Sequence, residues 1–371
     1  METIAVAGAL AAKPGNGGEA WVRLSWVLGL RRLGFDAWLL EECDAETAAA
    51  GRPFFEETVE RFGLGERATL IADGEPGGPL DRRGLEDLAN ESVALVNISG
   101  NLRDRELLRL FGRRAYLDLD PGFTQIWAAQ GALGEQLGEH DCHFTVGLNL
   151  SGEDCEVPAV GFEWLPLPPP VLLDEWAPSS PPRFDRFTSV ATWRNPLGTI
   201  KHEGRAYSLK HHQLRRFAEL PARTGLPFEV ALGIHPDEAG EATRLRELGW
   251  TVADPAAVAA DPDTFREYVR GSGAEFSVAQ GVYAEASTGW ISDRTAHYLA
   301  AGRPALVQET GLPSRFRPDA GLVTFSEPED AQAQAEGLLS AYELHAAAAR
   351  AYAERTFDSD RVLTRMLEAL G

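Results

Sequence analysis

Short apolar runs recur along the chain, and between them lie stretches whose apolar residues return every three or four positions. Ile4, Ala5, Val6 and Ala7 form a run suited to a buried parallel strand. Residues 20–33 are apolar nearly all round (Trp21, Leu24, Trp26, Val27, Leu28, Leu30), which predicts a buried helix closed by Gly34. Residues 35–40 read as a second strand. Strand, helix and strand at this spacing make a βαβ crossover, which requires a parallel sheet covered on both faces. The alternation continues with strands at 68–71, 93–97, 115–118 and 143–146, and helices at 54–62 and 104–111.

From 165 to 182 prolines interrupt the pattern: Pro166, Pro168, Pro169, Pro170, Pro178, Pro181 and Pro182. Such a run predicts a semi-rigid extended linker. The alternation then restarts. Strands are predicted at 187–191, 228–232, 250–253, 275–279, 305–308 and 322–325, and helices at 209–220, 238–248, 264–270 and 292–301. A helical tail follows, in two segments around Phe357. The expected organisation is α/β: a Rossmann-like domain over 1–165, a linker over 166–184, and a second Rossmann-like domain with the helical tail over 185–371. Two such domains are expected to face each other across a cleft at the carboxyl ends of their strands.

Charge narrows the partners. The chain carries 35 Lys+Arg against 56 Asp+Glu, a formal charge of -21. Binding to nucleic-acid phosphates needs a basic surface, so no nucleic-acid partner is expected. The apolar run after the N-terminus stops at Lys13, too short to span a bilayer. Cys43, Cys142 and Cys155 are widely spaced and include no CxxC pair, which predicts neither a disulfide framework nor a zinc site. A cytoplasmic location and no metal are the resulting expectations. Of the basic residues only Lys13, Lys201 and Lys210 are lysines, and all three fall beside loops of chemical interest.

The first of these loops is Lys13-Pro14-Gly15-Asn16-Gly17-Gly18-Glu19, ahead of the first helix. Gly17 and Gly18 would let backbone amides approach a ligand, and the helix start favours anions. The loop fits neither GxGxxG nor a Walker sequence. A second stretch, Ala191 to Gly198, includes Trp193 and Arg194 at a strand end, with Lys210 downstream. The richest stretch runs from Gly281 to Gly311. A loop with Ser287, Thr288, Gly289 and Trp290 leads through Ser292, Asp293 and Arg294 into a helix that stops at Gly302, before Arg303-Pro304. Helix-start amides, hydroxyls and a guanidinium together suit a diphosphate.

Gly289-Trp290-Ile291-Ser292-Asp293-Arg294 followed by Tyr298-Leu299-Ala300-Ala301-Gly302-Arg303-Pro304 resembles the donor domain of group 1 glycosyltransferases of the GT-B fold. The early glycine loop, the central prolines and the helical tail extend the resemblance loosely over the whole chain. It implies a nucleoside-diphosphate sugar as donor substrate, no separate cofactor, and an acceptor, such as a natural product, on the first domain. His297 stands where these families usually carry an acidic residue. Glu285 and Asp293 have the spacing E-x7-[DE] but lie out of register with Gly302, so stereochemistry stays open. A transferase needs a base for the acceptor hydroxyl. Asp118 and Asp120, which alternate at a strand end and are expected to share one face, are candidates, Asp120 first, with Glu19 third. Two other readings share the fold: an isomerase of the nucleotide-sugar 2-epimerase type, and a non-catalytic sugar-nucleotide-binding protein. Oligomeric state is not legible.

Overall fold

The computed structural model describes residues 1–178, 182–194 and 197–371. Residues 179–181 of the expected linker and 195–196 of the polar loop after Arg194 lie outside the described residues. Contacts divide the chain into two compact units. One comprises Met1–Gly147, Pro158–Leu172 and Ser359–Gly371, the other Leu148–Val157 and Leu173–Asp358.

The first unit is built on a sheet of β1 (Thr3–Ala7), β2 (Asp36–Cys43), β3 (Ala68–Ala72), β4 (Glu75–Gly77), β5 (Ser92–Ile98), β6 (Arg114–Asp118), β7 (Cys142–Thr145) and β8 (Trp164–Pro166). Its spatial order is β4-β3-β2-β1-β5-β6-β7-β8. All neighbours are parallel except β4, which pairs antiparallel with β3. Ile4, Ala5, Val6 and Ala7 are wholly buried, as a doubly covered central strand demands.

The helix Gly17–Arg32 is buried nearly all round because a second helix covers its outer side. That helix is Ser359–Leu370, at the far end of the chain. Its apolar stripe of Val362, Leu363, Met366 and Leu370 is buried, and Arg32 pairs with Asp360 at 3.2 Å. A Cβ at Gly29 would collide with Leu363. The tail was expected on the second domain; its last helix belongs to the first unit, because the outer face of Gly17–Arg32 is the apolar surface it fits.

The second unit's main sheet contains β9 (Phe187–Thr192), followed in sequence by a hairpin of β10 (Lys201–His202) and β11 (Arg205–Ala206). Then come β12 (Phe228–Gly233), β13 (Trp250–Ala253), β14 (Ala274–Ser277), β15 (Ala305–Gln308) and β16 (Leu322–Phe325). The six-stranded order is β13-β12-β9-β14-β15-β16, all parallel. Strand order reverses between β9 and β14, the switch point at which open parallel sheets bind ligands. Phe187, Phe217, Phe228, Trp250, Phe276 and Phe325 fill the core, with Phe276 stacked on Phe325 at 5.3 Å.

Two further expectations change. Part of the proline-rich stretch is not a spacer: Trp164–Pro166 is the edge strand β8, and Leu167, Val171, Leu172 and Trp176 are buried. Pro166 is tolerated because an edge strand needs no hydrogen bond from it on its outer side. Residues 148–157, expected in the first domain, belong to the second unit. There Leu148 and Asn149 donate N–H bonds to Gly289 O (3.3 Å) and Thr288 O (3.0 Å), and Glu156 donates to Ala286 O at 3.1 Å.

Candidate functional site

In the first unit the loop after β1 is shaped by a residue whose role the sequence does not announce. Glu41, wholly buried on β2, accepts N–H bonds from Leu10 (2.7 Å), Ala11 (2.6 Å) and Ala12 (2.8 Å). Burial pushes its carboxyl up, against those amides and the nearby Arg23. Its signal in the sequence is a carboxylate closing an otherwise apolar strand. Gly17 and Gly18, expected in the loop, are the first residues of the helix, capped by Asn16, whose Oδ1 accepts from Glu19 N at 3.1 Å. Glu19 pairs with Arg23 one turn on. Burial raises its carboxyl, but Arg23 and Lys13 outweigh that and hold it below the usual carboxylate range. A carboxylate so held is a weak base.

Asp118 and Asp120 lie in different surroundings, the first at the end of β6 and the second beyond the strand. Asp118 ends β6 and is wholly buried. It accepts from Thr124 Oγ1 (2.7 Å), Gln125 Nε2 (2.8 Å), Thr145 Oγ1 (2.8 Å) and Asp120 N (3.0 Å). Burial pushes its carboxyl up, although the four donors favour the charged form. It therefore ties β6 to β7 and to the helix Phe123–Ala129. Asp120, in the turn, is the one of the pair with solvent access.

In the second unit Arg294 was expected to meet a diphosphate. Its guanidinium instead turns into the sheet, donating to Glu275 Oε1 (2.8 Å), Val190 O (2.8 Å) and Ser277 Oγ (2.6 Å). Glu275 is wholly buried and the Arg294 side chain nearly so. The preceding loop is also closed upon itself. Thr288 and Gly289 are buried, and their N–H groups go to Tyr283 O (3.1 Å) and Thr310 O (2.6 Å). Ser287 holds a left-handed φ of 52°, with its carbonyl taken by Asn149 Nδ2 at 2.9 Å. Gly289, at φ 71°, admits no side chain, because a Cβ would lie 2.6 Å from Asn149 N. Trp290 packs on Tyr283 at 4.6 Å. Ser292 caps the helix Asp293–Ala300 with its own hydroxyl, and Asp293 places negative charge in the first turn. His297 is buried and stacked on Trp176 at 4.1 Å, a packing role.

Trp193 is likewise a core residue, 1% exposed, with the Arg215 guanidinium 5.2 Å from its ring. Arg194 is exposed and bidentate to Glu238 at 2.8 and 2.7 Å. Lys210 differs from all of these. It opens the helix Lys210–Arg216 beside the β9/β14 switch point, in a small cavity that Ser189, Thr192, Trp193, His211, Phe276 and Val278 also line. Its ammonium makes no hydrogen bond or ion pair among the described residues. Burial, with Arg294 as a second cationic neighbour, lowers it to about 7, against the pull of Glu275 and Asp293. Trp193 Nε1 and His211 Nδ1, both buried, also lack partners among the described residues. A cation without a hydrogen-bonded partner and two orphaned polar atoms thus lie together at a switch point, a chemistry suited to an anionic ligand.

Two Rossmann-like sheets in one chain are the elements of the GT-B fold of glycosyltransferases, and the chain aligns over its whole length with proteins of that fold. An alpha-glucosyltransferase in complex with UDP and a 13-mer DNA containing a HMU base aligns over 100% of both chains at 11% identity and TM-score 0.64. HepE of Anabaena in complex with UDP-glucose covers 100% of this chain and 99% of its own, at 12% identity and TM-score 0.60. AviGT4, a glycosyltransferase involved in Avilamycin A biosynthesis, covers 100% and 97%, at 14% identity and TM-score 0.58. Residues 235–370 match the family model described as glycosyl transferase-like. No curated protein matches the chain in sequence. Among the described residues no helix is long and apolar enough to cross a membrane.

Proposed function

We propose that the protein is a glycosyltransferase that moves a sugar from a nucleoside-diphosphate sugar to a small-molecule acceptor. The observation that carries this is the unpaired Lys210 ammonium at the switch point of the second unit. A diphosphate supplies the counter-charge that no hydrogen-bonded partner provides. UDP or UDP-glucose named with two of the neighbours supports a uridine nucleotide as carrier.

The acceptor belongs to the first unit, with Asp120 as base. Asp120 takes the proton from an acceptor hydroxyl, and that oxygen bonds to the anomeric carbon. The bond from that carbon to the diphosphate breaks, leaving its electron pair on the phosphate oxygen. The departing charge is met by Lys210 rather than by a metal. One neighbour is described with DNA, but a net charge of -21 favours a small acceptor such as a natural product. The three free cysteines support a cytoplasmic setting.

The test is titration calorimetry with UDP-, dTDP- and GDP-sugars. At least one binds, and affinity falls as pH rises from 7 to 9, because the binding cation is lost on passing about 7. The diphosphate diester itself does not titrate there, so the slope reports the enzyme. Lys210→Arg keeps binding and flattens the slope; Lys210→Ala weakens binding at every pH. No affinity for any of these sugars, or an unchanged affinity in Lys210→Ala, refutes the assignment.

A further inference from the structure

Leu209, at the N-cap of the helix that carries Lys210, has no side-chain acceptor to offer, and the local cap is limited to His212 Nδ1, which accepts from Leu209 N at 3.3 Å. The first turn of that helix is fixed from outside by the segment Gly281–Glu285. Gly281 N donates to Ser208 O at 2.9 Å, and a Cβ at Gly281 would collide with the Ser208 backbone. Lys210 N donates to Gln280 Oε1 at 2.9 Å. Glu285 Oε1 accepts from the Ser208 hydroxyl, from Ser208 N at 3.3 Å and from Gln213 Nε2 at 3.2 Å. Gln213 Nε2 also donates to Ser208 Oγ at 2.6 Å, and Gln213 Oε1 accepts from Gln308 Nε2 at 2.8 Å. Gln308 Oε1 in turn accepts from Ala279 N at 3.1 Å.

Gln213 and Gln308 are buried. Apolar side chains would hold a short helix on a sheet at lower desolvation cost. What a fully connected polar network adds is direction, because each bond fixes an angle as well as a distance. The direction fixed here is that of the turn bearing the unpaired ammonium.

We propose that Glu285 is a positioning residue for the donor: by holding Ser208 it aims the Lys210 ammonium at the diphosphate of the nucleotide sugar. The proposal rests on the donor reading above, and the experiment separates the two. UDP-glucose binding is measured for the wild type, Glu285→Ala, Glu285→Gln, Lys210→Ala and the double variant Glu285→Ala/Lys210→Ala.

Glu285→Ala weakens binding about tenfold, the scale of one lost aligned contact. Glu285→Gln recovers most of that, since its amide oxygen still accepts from Ser208. The double variant binds no worse than Lys210→Ala, because no ammonium remains to be aimed. If Glu285→Ala does not fold, Ser208→Ala takes its place, with the same non-additivity expected. A lowered melting temperature with unchanged affinity, or losses that multiply in the double variant, overturns the positioning role and leaves the donor reading standing. A wild type that binds no nucleotide sugar overturns both.

Discussion

Arg294 shows how a residue type can point at one chemistry and serve another. Beside a helix start, an arginine reads as a phosphate ligand, and nothing in the one-dimensional pattern says that Glu275 lies wholly buried across from it. Removing one partner of a buried pair strands the other charge, so Arg294→Ala should cost about 3–5 kcal/mol of stability, read from denaturant unfolding. A variant of normal stability that has lost nucleotide affinity would instead return Arg294 to the binding site. The two aspartates are separated by the same logic. Asp120→Asn should lower turnover ~10²–10⁴-fold with donor affinity retained, the usual worth of a general base. Asp118→Asn should mainly lower the melting temperature, because each carboxylate oxygen serves two of the four donors and the one replaced by an amide nitrogen no longer accepts. Full turnover in Asp120→Asn would move the base elsewhere.

At the scale of elements, position in the chain was far more legible than partnership. Phe187–Thr192, Phe228–Gly233 and Ala305–Gln308 form near the predicted places, because buried parallel strands leave unbroken apolar runs. Gly302 ends its helix with a φ of 68°, as its place before Arg303-Pro304 indicated. The partner of Ser359–Leu370 was not legible: an amphipathic stripe states that something is covered, not which of two sheets supplies the surface. Glu41 and Glu285 were illegible as clamps for a related reason, since their partners are mostly backbone and side-chain groups distant in sequence. The packing of the last helix is testable at Gly29. Gly29→Val should lower stability by about 1–3 kcal/mol through overpacking against Leu363. Adding Leu363→Ala should restore part of the loss; purely additive losses would show that the two residues do not meet.

For the molecule as a whole, the neutral buried histidines set a lower pH limit. Burial depresses His140 and His211 to about 4, and it also lowers His143. An unfolded chain takes up these protons near pH 6.5 and the folded one does not, so the histidines' share of stability is fully present above about 6.5. It declines as pH falls toward 4, by about 1.4 kcal/mol per pH unit for each such imidazole. A melting temperature that stays flat between pH 6.5 and 4.5 would contradict this. Acidic carboxylates with depressed pKa, Glu19 and Asp104 among them, act in the same sense at still lower pH.

The return of Ser359–Leu370 to the first unit also bears on how the protein is made. Synthesis runs from the N-terminus, so the sheet of β1 to β8 emerges long before the helix that covers Gly17–Arg32. All of Leu173–Asp358 must be translated in between, and at roughly 5–20 residues per second that is on the order of ten seconds or more. Throughout that interval the nascent first unit presents an open apolar groove to the crowded surroundings of the ribosome. A fragment cut after Leu172 would keep that groove permanently. Recombination at the proline-rich stretch would therefore not yield an independent module unless the new partner brought its own closing helix.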